Sequence, residues 1–131
     1  IDDPRDIVEF VIIAKSIERM ADHICRIAYV NQEEKVDMRV LSPILTKVAE
    51  FLRQAEMLLA GESTPQKIAE LQSEIATWSQ KVRREEVLSD PATSIAKESA
   101  VRIGEYIGDI VESLGRIKLK DKTIVISEGK T

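Results

Sequence analysis

Apolar residues recur along most of the chain at alternating steps of three and four, which places them on one face of an α-helix. The pattern predicts helices over residues 4–31, 41–60, 65–87 and 91–118, the second beginning as early as residue 36. Each helix is expected to bury one apolar face. In the first helix the predicted buried face consists of Ile7, Phe10, Ala14, Ile17, Ala21, Ile24 and Ala28.

Each of the four prolines follows a residue whose side-chain oxygen can cap a helix. Proline at the first helical position loses no helical hydrogen bond, and the preceding side chain accepts from free backbone N–H groups. Four helix starts are therefore predicted, and the short connections make successive helices antiparallel. The predicted fold is an all-α antiparallel bundle of four long helices. The pairs are Asp3-Pro4, Ser42-Pro43, Thr64-Pro65 and Asp90-Pro91.

The last residues, KLKDKTIVISEGKT, break the helical pattern. Residues 123–126 are mostly β-branched, which favours a strand. We therefore expect residues 1–118 to form a single bundle and residues 119–131 to form a tail that is β-like or disordered. Because the chain begins with Ile1 and not with Met, we interpret it as a piece of a longer protein.

Composition narrows the function classes. The net charge is −4 and aromatic residues make up 4 % of the chain, so the chain is expected to be a poor nucleic-acid binder with few side chains on which bases could stack. The single cysteine, Cys25, excludes an internal disulfide and is typical of a reducing cytosol. The longest apolar run, IVEFVIIA, is too short to cross a membrane. We expect a cytoplasmic protein that neither inserts into a membrane nor binds nucleic acid through this segment.

Two pairs of carboxylates stand out. Glu18 and Asp22 lie one helical turn apart at the edge of the first apolar face, and Glu105 and Asp109 repeat the spacing on the fourth helix. Like charges at this spacing repel by a few tenths of a kcal/mol. Either neighbouring basic residues compensate them, as on a solvated face, or a cation does. Oxygen ligands suit hard ions such as Mg, Mn or ferric iron, so these four residues are candidate metal ligands.

The sequence gives less support to zinc binding, a di-iron centre or enzyme activity. His23 has no second histidine for a zinc site, and the Glu-x-x-His signature of di-iron bundles is absent. The inward positions are aliphatic, which disfavours a carboxylate-bridged metal oxidase, and we expect no enzyme. Cys25 is predicted to be a buried thiol and Trp78 a core residue. The glycines of RIGEYIGDIVESLG are predicted to allow close helix packing.

The stretch AKSIERMADHICRIA resembles the signature helix of PhoU-type phosphate transport regulators. The matching residues are Glu18, Arg19, Met20, Ala21, Asp22 and His23. The stretch AKESAVRIGEYIGDIVES is similar to the same helix from a sister repeat, although Val101 stands where the family has Glu. Its aligned pairs include Arg19 with Arg102, Asp22 with Glu105, and His23 with Tyr106. The resemblance covers about residues 4 to 118.

The resemblance implies two three-helix repeats, of which residues 4–31 would be the last helix of a truncated first repeat and residues 36–118 the second. It implies a homodimeric cytoplasmic regulator that restrains the phosphate-starvation response beside a phosphate ABC transporter subunit and a sensor histidine kinase. A transporter partner would hold it at the membrane surface. Family metal sites carry over to Glu18 and Asp22, then Glu105, while Asp109 follows from spacing alone. The alternative is a structural or oligomerisation bundle of an ion-transport or transcription regulator.

Overall fold

Four α-helices make up the structure, a computed structural model that describes residues 3–61, 63–85 and 90–129, with side chains up to residue 119. They are α1 (Pro4–Glu33), α2 (Met38–Ala60), α3 (Pro65–Arg84) and α4 (Pro91–Gly129). No strand occurs in the described ranges. The predicted all-α bundle of four helices is confirmed.

Side-chain caps begin three helices where the sequence predicts. Asp3 accepts from the Arg5 backbone N–H at 2.9 Å, and Thr64 caps α3. Asp90 accepts from the Thr93 N–H at 2.8 Å. The exception is Pro43, which lies inside α2, because Asp37 caps that helix six residues earlier. Proline in the second turn removes a single helical hydrogen bond, so the helix continues through it.

The end of the chain also differs from the prediction. A β-like or disordered tail was expected from residue 119, yet the backbone of α4 stays helical to Gly129. No Pro or Gly interrupts residues 116–128, and β-branched residues cost a helix only about 0.5 kcal/mol each. Helix propagation therefore prevails over the local strand preference. Residues 130 and 131 lie outside the described part.

α4 lies at the centre of the bundle. In the described part of the chain α1, α2 and α3 all pack against α4, and α2 also meets α3. The core has one cluster around Phe51 and Ile107 and a second around Leu41 and Ala100. The Trp78 ring meets the Phe51 ring edge-on at 5.2 Å, as predicted for a core residue.

Glycines bring α3 close to α4. A Cβ atom built on Gly104 would lie 2.4 Å from the Trp78 ring, which is closer than any real contact. At Gly115 the nearest atom, on Ile68, would be at 3.2 Å. The predicted role of these glycines in close packing is confirmed.

The apolar face predicted to be buried on α1 is exposed. We call its seven residues, spaced from Ile7 to Ala28 at steps of three and four, the α1 seam. Ile17 and Ile24 are 55 % and 56 % exposed. Cys25, predicted to be a buried thiol, is exposed beside them.

A neighbouring side of α1, about 100° around the helix from the seam, meets the bundle instead. This side is a second row at the same spacing, and only Ser16 in it is fully buried. Two rows of similar spacing share one helix, so periodicity alone does not identify which row faces α4. The prediction chose the more apolar row, and it was wrong. The packed row is Ile13, Ser16, Met20, His23, Ile27 and Val30.

Candidate functional site

The two helices that carry the predicted site residues, α1 and α4, lie side by side and run antiparallel. Glu9, near the start of α1, is 3.5 Å from Arg116. Further along α1, His23 Nδ1 lies 3.2 Å from the hydroxyl of Ser99. As the α1 number rises, the number of its α4 partner falls. The two stretches that resemble each other in sequence therefore pack on each other.

Tyr106 is the centre of this contact and is 8 % exposed. The guanidinium of Arg102 lies 5.0 Å from its ring centroid and donates to its hydroxyl at 3.0 Å. The guanidinium of Arg19 lies 6.0 Å from the same centroid, and the His23 ring is 5.9 Å away. Cations over an aromatic face are attracted to its negative electrostatic potential. The four residues that the sequence alignment paired thus meet around one ring.

His23 is half-buried at the edge of this cluster. Burial lowers its pKa, and the neighbouring charges of Arg26 and Arg102 lower it further. Asp22 and Glu98 oppose the shift only in part. The neutral imidazole is therefore the favoured form in the folded protein, and it is held by the hydroxyl of Ser99.

Glu105 is neutralised by arginines of the protein itself. Arg83 of α3 donates to both of its carboxylate oxygens, at 2.5 and 2.8 Å, and Arg102 approaches at 3.2 Å. The hydrogen bond from Arg83 holds the pKa of Glu105 below its usual value. Arg83 also binds Glu98 at 2.9 Å, so one guanidinium joins two carboxylates of α4 to α3. For Glu105 the geometry is that of a salt-bridge network.

Asp109 lines an open groove of about 400 Å³ between α3 and α4. Its carboxylate receives no hydrogen bond from a described residue, and partial burial raises its pKa, followed by the charge of Glu112. Arg102 and Arg19 act in the opposite direction. Asp109 thus shares the groove with Glu105 but not its arginine partner.

Glu18 and Asp22 lie on the solvent side of α1 and are exposed. Neither forms an ion pair with another residue of the described ranges. Within those ranges the structure contains no group of three or more His, Cys, Asp or Glu residues arranged to hold a metal. The two predicted carboxylate pairs are therefore separate sites with different surroundings: one is open and the other is partly neutralised.

Sequence reasoning missed Arg83 and Ser99 as members of this region. Arg83 lies in the last turn of α3, 22 positions before Glu105, and no local spacing links the two. Ser99 has a weak signal, because the alignment of Arg19 with Arg102 also places it on Ser16, and both serines are buried.

Comparisons with known proteins give no relative of this chain. No family profile matches it, no curated protein sequence matches it, and no solved structure matches it. Among the described residues no helix is long and apolar enough to span a membrane.

Proposed function

We propose that this chain is a regulator of PhoU type that acts through protein–protein contact in phosphate uptake and phosphate-starvation signalling. The proposal rests on the sequence resemblance and on one structural observation. The aligned signature residues, Arg19 and His23 of α1 with Arg102 and Tyr106 of α4, pack around one ring. This pairing brings the two aligned stretches into direct contact. The partners are a phosphate ABC transporter subunit and a sensor histidine kinase, and the protein works in the cytoplasm.

Glu18 and Asp22 form the proposed metal site of this regulator. Their carboxylates are exposed, one turn apart and without a cationic partner among the described residues, so a hard cation such as Mg, Mn or ferric iron would relieve their repulsion. Glu105 is the weaker candidate because Arg83 already binds both of its oxygens. Asp109, open in its groove, belongs to this second and weaker pair.

Calorimetric titration of the metal-stripped protein tests the site. We expect saturable binding of one of these ions that disappears when Glu18 and Asp22 are both changed to alanine. The matched control changes Glu70 and Glu74, an exposed pair with the same spacing on α3, and should leave binding unchanged. Equal loss in both double variants, or no binding to the starting protein, would remove the metal site from the proposal.

A reporter of phosphate starvation tests the regulatory role. In bacteria that lack their own PhoU-type regulator, the reporter is active even in high phosphate. Expression of this chain should restore repression. Substitution of Arg19 by alanine should weaken that repression, because Arg19 is one of the aligned signature residues around the Tyr106 ring. A reporter that stays active although the folded protein accumulates would contradict the proposal.

The second candidate is a structural bundle whose role is oligomerisation. The observation that favours it is the exposed α1 seam, an apolar surface of a kind that monomeric soluble proteins rarely expose. The two candidates differ in the titration: the second requires no metal and no signalling partner.

A further inference from the structure

α1 contributes little to the core of the bundle. Of its 30 residues, Ser16 alone is fully buried in the described part of the chain. α2 and α3 are shorter, yet each buries five residues, most of them apolar. The residues of α1 that touch the core, Met20, Ile27 and Val30, remain partly exposed. Because burial of apolar surface is the main force that holds helices together, α1 is held less firmly than its neighbours.

The contact between α1 and α4 is long, but the row at its centre is polar. Positions 9, 16 and 23 of α1 recur every seven residues, and so do positions 99, 106 and 113 of α4. The hydrogen bond between His23 and Ser99 sets the antiparallel register of the two rows. Their members are then level in three pairs: His23 with Ser99, Ser16 with Tyr106, and Glu9 with Ser113. Such a row gains less from docking than the aliphatic rows of α2 and α3 do.

Two side-chain atoms at one end of this contact are buried without a hydrogen bond from a described residue. They are Glu9 Oε2 and the hydroxyl of Ser113, a residue that is 1 % exposed. Arg116 Nη1 lies 3.5 Å from Glu9 Oε2 and makes an ion pair without hydrogen-bond geometry. Burial of such groups costs free energy that hydration restores when the helices separate. The docked position of α1 therefore carries a cost that opening removes.

The link after α1 can act as a hinge. Residues 34 and 35 are exposed, and the backbone of Glu34 is extended. The chain is fixed again directly afterwards, because Val36 is 1 % exposed and the Asp37 N–H donates to Thr93 of α4 at 3.0 Å. A hydrogen bond from the Val36 N–H to the Asn31 side chain, at 3.0 Å, crosses the link. α1 can therefore turn away by breaking this bond without displacing the start of α2.

We propose that α1 is a strap that opens about residues 34 and 35 while α2, α3 and α4 remain folded. The buried members of both core clusters lie outside α1, so the core persists when the strap opens. Opening uncovers the polar row of α4, including Tyr106, which is 8 % exposed in the closed structure. The inference concerns the movement of one helix, and it holds whether or not the chain binds metal or regulates phosphate uptake.

Amide hydrogen exchange of the unsubstituted protein tests the strap. A single helix is marginally stable in water, so the amides of α1 exchange whenever it leaves α4. Amides around Ser16 should exchange at least about a hundredfold faster than those around Phe51 of α2 or Ile75 of α3, after correction for intrinsic rates. Equal protection in the three helices would overturn the proposal. Fast exchange confined to the ends of α1 would also overturn it, because the helix would then only fray.

Removal of the buried carboxylate should close the strap more tightly. Glu9→Leu should slow the exchange of α1 by about tenfold, because the contact loses a buried oxygen that has no hydrogen bond. Glu33→Leu makes the same change at an exposed position of the same helix and should leave the exchange of residues 10–25 unaltered. Unchanged or faster exchange of α1 in Glu9→Leu would contradict the polar-row argument on which the strap rests.

Thiol labelling at two equally buried positions of α4 separates opening of the strap from opening of the core. Ser113 and Val111 are both 1 % exposed and lie on opposite sides of the helix. Ser113 belongs to the row that α1 covers, whereas Val111 belongs to the cluster formed with α2 and α3. Ser113→Cys and Val111→Cys are each made in a chain that carries Cys25→Ser, so that each protein has one thiol.

The thiol at position 113 should react at least about a hundredfold faster than the thiol at position 111, with unchanged helical signal in both proteins. Slow reaction at both positions would overturn the proposal, because α1 would then stay closed. Equally fast reaction at both would also overturn it, because the whole bundle would then open together. If Ser113→Cys does not fold, Ser99→Cys takes its place, since Ser99 is 2 % exposed and lies in the same row.

Discussion

α1 and α4 have similar sequences but very different surroundings. With Arg19 aligned on Arg102, Ile24 falls on Ile107; the first is 56 % exposed and the second is completely buried. The reason is position: α4 has three helical neighbours, whereas α1 packs against α4 alone in the described part of the chain. A regular apolar row therefore identifies a helix face that favours contact with a neighbour. It does not show that the same protomer supplies one.

The largest expected effect separates these two isoleucines. Ile107→Ala removes a fully buried side chain from the centre of the core, so the free energy of unfolding should fall by about 2–5 kcal/mol. Ile24→Ala should change it by less than about 0.5 kcal/mol, because the side chain is already half in water. Urea unfolding of each single variant beside the starting protein measures both changes in free energy. Equal losses would end the distinction between the helices.

Substitution of two glycines of α4 should give the next largest change in stability. Gly104→Ala places a methyl group against the Trp78 ring and should destabilise the fold by about 1–3 kcal/mol. Gly108→Ala meets Ile75 only at 3.6 Å, an ordinary contact, and should stabilise the fold by up to about 1 kcal/mol through helix propensity. Opposite signs in thermal unfolding are the expected result. Equal shifts of the same sign would mean that α3 does not press on Gly104.

The arginine network should contribute less. Arg83→Ala removes two ion pairs that join α3 to α4, but the side chain is 36 % exposed and solvent screens its charge. The loss in the free energy of unfolding should be at most about 1 kcal/mol and should shrink in high salt. Lys81→Ala, a basic residue two positions away with no described ion pair, is the control. A loss above 3 kcal/mol would mean that the network is effectively buried.

The smallest effect concerns pH. Because the pKa of His23 is lowered in the folded protein, the unfolded chain binds more protons below its reference pKa of 6.5. The His23 contribution to stability is therefore complete above pH 6.5 and is lost as the pH falls through the folded pKa. Unfolding curves from pH 7.5 to 5 should show this decline, and His23→Gln should remove it. Asp90 titrates in a lower range, because the Thr93 backbone N–H lowers its pKa from 3.8.

Local chemistry made much of the fold predictable. A capping oxygen followed by proline acts within one helical turn, so the sequence located the starts of α1, α3 and α4. Gly104 and Gly115, which pack against Trp78 and Ile68, are likewise recognisable in the sequence because close helix packing needs small residues. Pro43 misled because a second capping residue, Asp37, begins the helix six residues earlier and α2 continues through the proline.

The candidate site was less predictable because it depends on which helices meet. The carboxylate spacing on α4 is local, but the arginine that neutralises Glu105 comes from α3. The orientation of α1 depends on whether the seam or the packed row faces α4, and both rows have the same period. Residues such as Ile17 therefore pointed to a neighbour without identifying it.

Thiol labelling tests the difference between α1 and α4 most directly. Cysteine replaces either Ile24 or Ile107 in a chain that also carries Cys25→Ser, so that each protein has one thiol. We expect the thiol at position 24 to react nearly as fast as in an unfolded peptide, because Ile24 is exposed. The thiol at position 107 should react at least about a hundredfold more slowly, because it is reached only when the core opens. Similar protection at both positions would contradict the difference in exposure between the two helices, since the α1 seam would then be covered.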